Sequence, residues 1–100
     1  MIHQFQSKAG PNLIMLDDLV ERIFSILQRP FEARGIVLVE QMPGYIEALE
    51  KAIIQDEENQ KINSNYGHQK KERLGQRIFP FLELLKKSLK ANEPVLWGLQ

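Results

Sequence analysis

The two ends of the chain carry strand-like patterns, and three amphipathic stretches lie between them. Loose alternation of polar and apolar side chains at residues 2–7 and an apolar finish at residues 94–97 are typical of strands. Strand-like ends around helices indicate one closed unit. The pattern therefore predicts an α+β fold in which a small antiparallel sheet, made of an N-terminal hairpin and a C-terminal strand, packs against three helices. The strand order stays open.

The length of the chain suits one domain. It has 100 residues, of which 43% are apolar and 26% charged, as in an ordinary globular domain. We therefore expect a single domain over residues 1–100. Residues 56–71 are mostly polar and charged, which is typical of a mobile linker or of a frayed helix end, and the sequence leaves both open.

The N-terminus has the pattern of a β-hairpin. Alternation places His3 and Phe5 on one face of the first strand, at about residues 2–7, and predicts that the other face contacts solvent. The glycine and proline within residues 8–11 are typical of a hairpin connection. A second strand follows at residues 12–16. Because its last four residues are all apolar, the sequence predicts that both faces of this strand are covered.

The first amphipathic stretch has signals at both ends. Asp18 and Glu21 have the spacing of a capping box, with Asp18 as the N-cap of helix one. Pro30 disfavours helical backbone at the residue before it, so the helix is predicted to end near Gln28. The β-branched residues within 36–39 leave two alternatives, a strand or an extended connector.

Prolines mark the other two helices. Pro43 fits the first turn of helix two, where its missing N–H would have no intrahelical partner. Helix three is predicted from about Glu72 to Ala91. Pro80 inside it predicts either a kink or a true start near Phe79, because the proline ring clashes with the preceding turn.

The residue types that catalytic and metal sites need are scarce. The absence of cysteine excludes disulfides, thiolate nucleophiles and cysteine-ligated metals. His3 and His68 share no motif, whereas a metal site needs three or four convergent ligands. The serines lie in no nucleophile-elbow context, and Gly10 lacks the further glycines of a phosphate-binding loop. The sequence therefore predicts no catalytic residue, no metal site and no cofactor, and it favours a domain that is not an enzyme.

Charge argues against a nucleic-acid partner. The densest basic stretch is formed by Lys70, Lys71 and Arg73 with Arg77, but the formal net charge of the chain is zero and Tyr66 is the single ring nearby. The longest apolar runs are four residues, and the N-terminus lacks a basic region followed by an apolar one. We expect a cytoplasmic domain with no nucleic-acid partner, no export signal and no membrane span.

Three apolar residues are candidates for a partner surface. Phe79 and Leu84 fall on opposite sides of the apolar stripe of helix three, so each is either buried by another element or part of a contact surface. Trp97 is either a core anchor or a partner contact. These residues motivate the leading hypothesis, a protein-interaction or self-associating module.

The alternative hypothesis is a small-molecule or enzymatic site in a cleft between sheet and helices. His3 and Arg77 would supply its polar groups, and Trp97 an aromatic wall. This hypothesis requires that the three side chains converge on one mainly apolar cleft.

Several short segments together resemble a known family. In chain order they are Phe5-Gln6-Ser7-Lys8, Ile14-Met15, Gly35-Ile36, Glu40-Gln41-Met42-Pro43, Leu49-Glu50, Gln76-Arg77 with Pro80, Glu83-Leu84-Leu85 and Val95-Leu96-Trp97-Gly98. The chain resembles a small bacterial family catalogued as domain of unknown function 1840, over nearly its whole length except the linker. The resemblance supports a single domain. It implies no activity, ligand or catalytic residue, because the family has none established.

Overall fold

The computed structural model describes residues 2–63 and 74–99. Within these residues the chain forms four strands and three α-helices. In chain order they are β1 (Ile2–Ser7), β2 (Gly10–Leu16), α1 (Asp17–Ile26), β3 (Gly35–Val37), α2 (Met42–Asn63), α3 (Leu74–Ala91) and β4 (Val95–Leu99). The predicted α+β class, with an antiparallel sheet packed against three helices, is confirmed.

The two terminal strands pair at the centre of the sheet. The strand order is β2-β1-β4-β3, and every pair is antiparallel. Phe5 of β1 lies opposite Trp97 of β4. The sequence left residues 36–39 as a strand or a connector. The structure forms the edge strand β3 over residues 35–37, with Ile36 opposite Leu96, and residues 38–39 lie outside it.

The helices cover one face of the sheet. The strand residues on this inner face are buried: His3, Phe5, Met15, Val37, Val95 and Trp97. They share one core with apolar residues of all three helices, among them Ile23, Leu49 and Phe81. The result is a two-layer fold with a second, outer sheet face that these helices leave uncovered. The predicted solvent-facing side of β1 is confirmed by the exposed Ile2 and Gln6.

The prediction that both faces of β2 are covered is wrong. Met15 points into the core, but Ile14 and Leu16 on the outer face are 54% and 60% exposed. The reason is that the three helices share one core with the inner face of the sheet, and the outer face has no helix packed on it among the described residues. Outward residues of the central strands, such as Ile2 of β1 and Leu96 of β4, are exposed in the same way. A continuous apolar run therefore does not require two covering layers here.

The predicted capping box at the start of α1 is also wrong. The N-cap residue is Leu16, which makes no side-chain capping hydrogen bond. Asp17 and Asp18 lie inside the first turn, where their carboxylates favour the positive end of the helix dipole. The Asp18 carboxylate instead accepts a hydrogen bond from Arg77 of α3. The helix ends at Ile26, close to the predicted end.

Helix α2 extends further than the linker alternative for residues 56–71 predicts. α2 begins at Met42, so Pro43 lies in its first turn as predicted, and the helix extends through residues 56–63. Residues 56–63 are therefore the end of a helix, which is one of the two alternatives that the sequence left open for residues 56–71. Residues 64–71 lie outside the described residues.

A start of α3 near Phe79 is wrong, because the helix is already formed at Leu74 and runs through Pro80. Proline removes one intrahelical hydrogen bond. The turns on both sides of it are anchored by the buried Ile78 and Phe81, and this packing holds the helix across the interruption.

Candidate functional site

Two of the three predicted partner-surface residues lie in the core. Leu84 is 4% exposed and Trp97 is 3% exposed. A Cβ atom on Gly10 would lie 3.3 Å from Leu84 Cδ1, so Leu84 packs beneath the hairpin. Leu84 lies off the main apolar stripe and is nevertheless buried, because α3 contacts both α2 and β2 and therefore buries a wider arc than one stripe. Both side chains belong to the core cluster of the described residues.

Trp97 joins the sheet to the loop that follows α1. Its indole stacks on Phe5 with ring centres 6.0 Å apart and meets Phe24 edge-on at 5.1 Å. The guanidinium carbon of Arg29 lies 4.7 Å from the centre of the indole ring. The indole Nε1–H donates to the Glu32 carbonyl at 3.0 Å. Trp97 is therefore the core anchor of the two alternatives.

The residues proposed to line a cleft are held in separate contacts. His3 is buried, and its Nε2 is hydrogen-bonded to the Asp17 carboxylate. Nε2 is the donor of this hydrogen bond, because a carboxylate oxygen accepts. Nδ1 is buried without a hydrogen-bond partner among the described residues. Arg77 Nη2 donates to Asp18 Oδ2 at 2.9 Å on the surface. This hydrogen bond, followed by a backbone N–H of the first turn, lowers the pKa of the Asp18 carboxyl. His3 and Arg77 thus anchor β1 and α3 to the start of α1.

Phe79, the third predicted partner-surface residue, is exposed and lies in a groove between α2 and α3. The groove has a volume of about 710 Å³ and an apolar wall formed by Ile53, Ile54, Phe79 and Leu82. Lys86 and Glu50, which also line it, form an ion pair of 3.3 Å. His3, Arg77 and Trp97 are not among its lining residues. In the described ranges, no three His, Asp or Glu side chains are placed to hold a metal ion.

A second exposed apolar surface lies on the sheet, and it contains more of the exposed apolar side chains than the groove does. Sequence reasoning missed it. We call it the outer sheet face. Five of the nine exposed large apolar side chains in the described part of the chain belong to it: Ile2, Ile14, Leu16, Ile36 and Leu96. Registers Ile2 to Leu16 and Ile36 to Leu96 place these side chains on one side of the sheet. Exposed apolar side chains gathered on one face of a sheet are typical of a contact site.

The outer sheet face is electrically neutral. The four strands contain no Asp, Glu, Lys or Arg, and their single histidine, His3, points inward. The polar groups at outward positions are the amides of Gln4, Gln6 and Asn12. Solvent-facing sheet surfaces ordinarily carry polar and charged side chains. Five aliphatic side chains with no charge among them therefore distinguish this face from an ordinary solvated one.

The fold and the site together define a two-layer α+β domain in which the described elements leave one apolar sheet face exposed. The chain belongs to the family described as domain of unknown function (DUF1840), whose sequence profile matches residues 1–97. This confirms the resemblance drawn from the short segments. No curated protein and no solved structure matches the chain. None of the helices in the described ranges is long and apolar enough to cross a membrane.

Proposed function

We propose that this chain is a non-catalytic protein-interaction module whose contact surface is the outer sheet face. The observation that carries the proposal is the set of five exposed aliphatic side chains on strands without charged residues. Water contact with these side chains is unfavourable, and a partner that covers them removes this cost.

The energetic gain from covering the face is large enough for binding. The five side chains are each 40–60% exposed, and full burial of one Leu or Ile contributes about 1.5–3 kcal/mol. Covering the remaining exposed parts contributes about 4–7 kcal/mol from this chain alone. The partner's own buried surface adds to this. Association costs about 4–15 kcal/mol, so the balance favours a specific but not very tight complex.

The environment of the reactive side chains supports a role without catalysis. His3 is hydrogen-bonded to Asp17, and Arg77 is paired with Asp18. The Ser88 hydroxyl is buried and lies 2.7 Å from the Ser7 hydroxyl. Each pair joins two elements of the fold, which is a structural task.

A location in the bacterial cytoplasm and a protein partner complete the proposal. A chain without cysteine is suited to a reducing compartment. The neutral sheet face offers no basic surface for phosphates, so we expect no nucleic-acid partner.

Matched substitutions on the two apolar surfaces test the proposal. Ile14 on the sheet and Ile54 on α2 are 54% and 56% exposed, so Ile14→Thr and Ile54→Thr remove the same group from equally exposed sites. Threonine keeps the β-branched shape that suits a strand. The measurement is affinity capture from the native cell, with quantification of every captured protein, including untagged copies of the chain itself.

The proposal predicts that a captured protein is lost with the double variant Ile14→Thr, Leu96→Thr and retained with Ile54→Thr. Circular dichroism melts of each variant establish that the fold is intact. Loss with Ile54→Thr alone would move the contact surface to the groove between α2 and α3. If the wild-type protein, the double variant and Ile54→Thr all capture the same proteins, an interaction through the outer sheet face is contradicted.

A further inference from the structure

We infer that the partner of the outer sheet face is a second copy of this chain, packed face to face about a two-fold axis with the strands of the two sheets crossing at about 90°. The inference rests on the proposed function, because it names the occupant of the same face. Three features of the face support it: the placement of its apolar side chains, its neutrality and its size.

The exposed aliphatic side chains form two clusters at opposite corners of the outer sheet face. We call Ile2, Ile14 and Leu16 the first corner, and Ile36 and Leu96 the second corner. Ile2 pairs with Leu16 at one end of the β1–β2 ladder. Ile36 pairs with Leu96 on the far side of the sheet, toward the other end of β1.

Gln4 lies between the two corners. It pairs with Ile14 of the first corner on one side and with Gly98 of β4 on the other. Strand spacing of about 4.8 Å and a rise of about 3.3 Å per residue put the centres of the corners about 15 Å apart, on a line about 45° from the strands. Gln4 and Gly98 lie close to the midpoint of this line.

This diagonal placement selects one symmetric arrangement. In a face-to-face dimer the two-fold axis lies between the sheets and parallel to them. A two-fold axis along the strands would place the apolar second corner of one copy against the polar amide of Gln6 in the other copy. An axis along or across the diagonal sets apolar corner on apolar corner. Because such an axis is about 45° from the strands, the strands of the two sheets cross at about 90°, which is the orthogonal class of sheet packing.

Neutrality favours a second copy over a charged partner. A surface without charge gains nothing from electrostatic attraction to an acidic or basic partner. Two identical charged faces would repel each other, and this face avoids that cost. The formal net charge of the chain is also zero, so whole molecules do not repel at long range.

The size of the face sets the strength of the dimer. Four strands of up to seven residues span a flat envelope of about 400 Å² on each copy. Stable interfaces bury about 800 Å² per partner, and smaller ones belong to weak or transient complexes. We therefore expect a dimer in dynamic exchange, with a dissociation constant in the micromolar range.

Sedimentation equilibrium of the purified chain, from low micromolar to submillimolar concentration, measures this constant. The expected result is a monomer–dimer equilibrium for the wild-type protein. Ile14→Thr, Leu96→Thr should raise the dissociation constant at least tenfold, and Ile54→Thr should leave it unchanged. A wild-type monomer at all concentrations would overturn the inference, as would a dimer that the double variant forms equally well.

Cross-linking provides a second readout that does not depend on substitutions in the apolar corners. The chain has no cysteine, so Gln4→Cys introduces one thiol near the midpoint, where each copy faces its partner. Facing sheets are about 10 Å apart, too far for a disulfide but within reach of a short bis-maleimide. Gln4→Cys should give a covalent dimer on treatment. Gln55→Cys, on the exposed side of α2, is the matched control and should stay monomeric.

The two proposals fail in different ways. If the purified chain is monomeric and Gln4→Cys does not cross-link, the second-copy inference is wrong. The proposed function still stands in that case if capture from cells shows another protein whose binding requires Ile14 and Leu96. If that capture is also insensitive to both residues, the outer sheet face is not an interaction surface.

Discussion

A methyl group at position 35 has no room beside Trp97. An ideal Cβ on Gly35 would lie 2.6 Å from Cη2 and 2.9 Å from Cε2 of the indole. The indole is rigid, its Nε1–H donates to the Glu32 carbonyl at 3.0 Å, and Phe5 stacks on it. Gly35→Ala must therefore push the whole ring out of place or bend β3 away from β4.

The cost follows from the contacts that this shift disturbs. Overpacking a well-packed core costs about 1–3 kcal/mol, and loss of the indole hydrogen bond adds about 1 kcal/mol. We expect Gly35→Ala to lower the free energy of unfolding by about 2–4 kcal/mol, which is at least about 8 °C in melting temperature for a chain of this size. At Gly98, on the adjacent strand β4, an added Cβ meets nothing within 4 Å. Gly98→Ala should be neutral or stabilise by up to about 1 kcal/mol.

Urea unfolding followed by circular dichroism measures both variants, with the fluorescence of Trp97, the chain's one tryptophan, as a second probe. A double-mutant cycle with Trp97→Phe isolates the contact. The smaller ring lacks the indole carbons that face position 35, so Gly35→Ala should cost at least about 1 kcal/mol less in that background. The reasoning is refuted if Gly35→Ala and Gly98→Ala unfold within about 0.5 kcal/mol of each other.

Two further predictions concern α3. Leu84→Ala should lower the free energy of unfolding by about 2–5 kcal/mol because it empties a buried site, and Phe79→Ala should lower it by less than about 1 kcal/mol; thermal melts in which Phe79→Ala is the more damaging change would contradict this placement. Arg77 lowers the pKa of the Asp18 carboxyl in the folded state. The ionised Asp18 carboxylate therefore stabilises the fold above the ordinary pKa of the group, and this contribution is lost as the pH falls through the lowered, folded-state pKa. Asp18→Asn should therefore be less stable than wild type at neutral pH and equal to it in acid, and an offset that does not change with pH would contradict the pair.

The overall architecture was predictable because its signals are local. Alternation in β1, the proline in the first turn of α2 and the apolar stripes of the helices each depend on a few neighbouring residues. The pairing of the terminal strands follows from the need to satisfy their backbone hydrogen bonds. The strand at residues 35–37 was ambiguous because three residues carry too little pattern to separate a strand from a connector.

The wrong and the undecided predictions concern residues whose partners are distant in sequence. Asp18 has the spacing of a helix N-cap, but its carboxylate accepts a hydrogen bond from Arg77 of α3 instead. Leu84 falls outside the main stripe of α3, yet the hairpin covers it at Gly10. In both cases a contact between elements far apart along the chain decides the outcome, and helical periodicity contains no information on it.

The outer sheet face was missed for a related reason. The second strand is apolar at four consecutive positions, and such a run has no period that separates an inner from an outer face. Whether the outer face is covered depends on how many layers the fold has, and the sequence of one strand does not state that number. A signal was nevertheless present, because all four strands lack Asp, Glu, Lys and Arg.

Methyl NMR spectra recorded over a dilution series test most directly whether the outer sheet face is a contact surface between copies. With labelled Ile and Leu methyl groups, the resonances of Ile14, Ile36 and Leu96 should shift with concentration along one binding curve. Ile54, equally exposed on α2, should not shift. Concentration-dependent shifts confined to Ile54, or spectra in which no methyl group of the sheet responds at any concentration, would contradict the account.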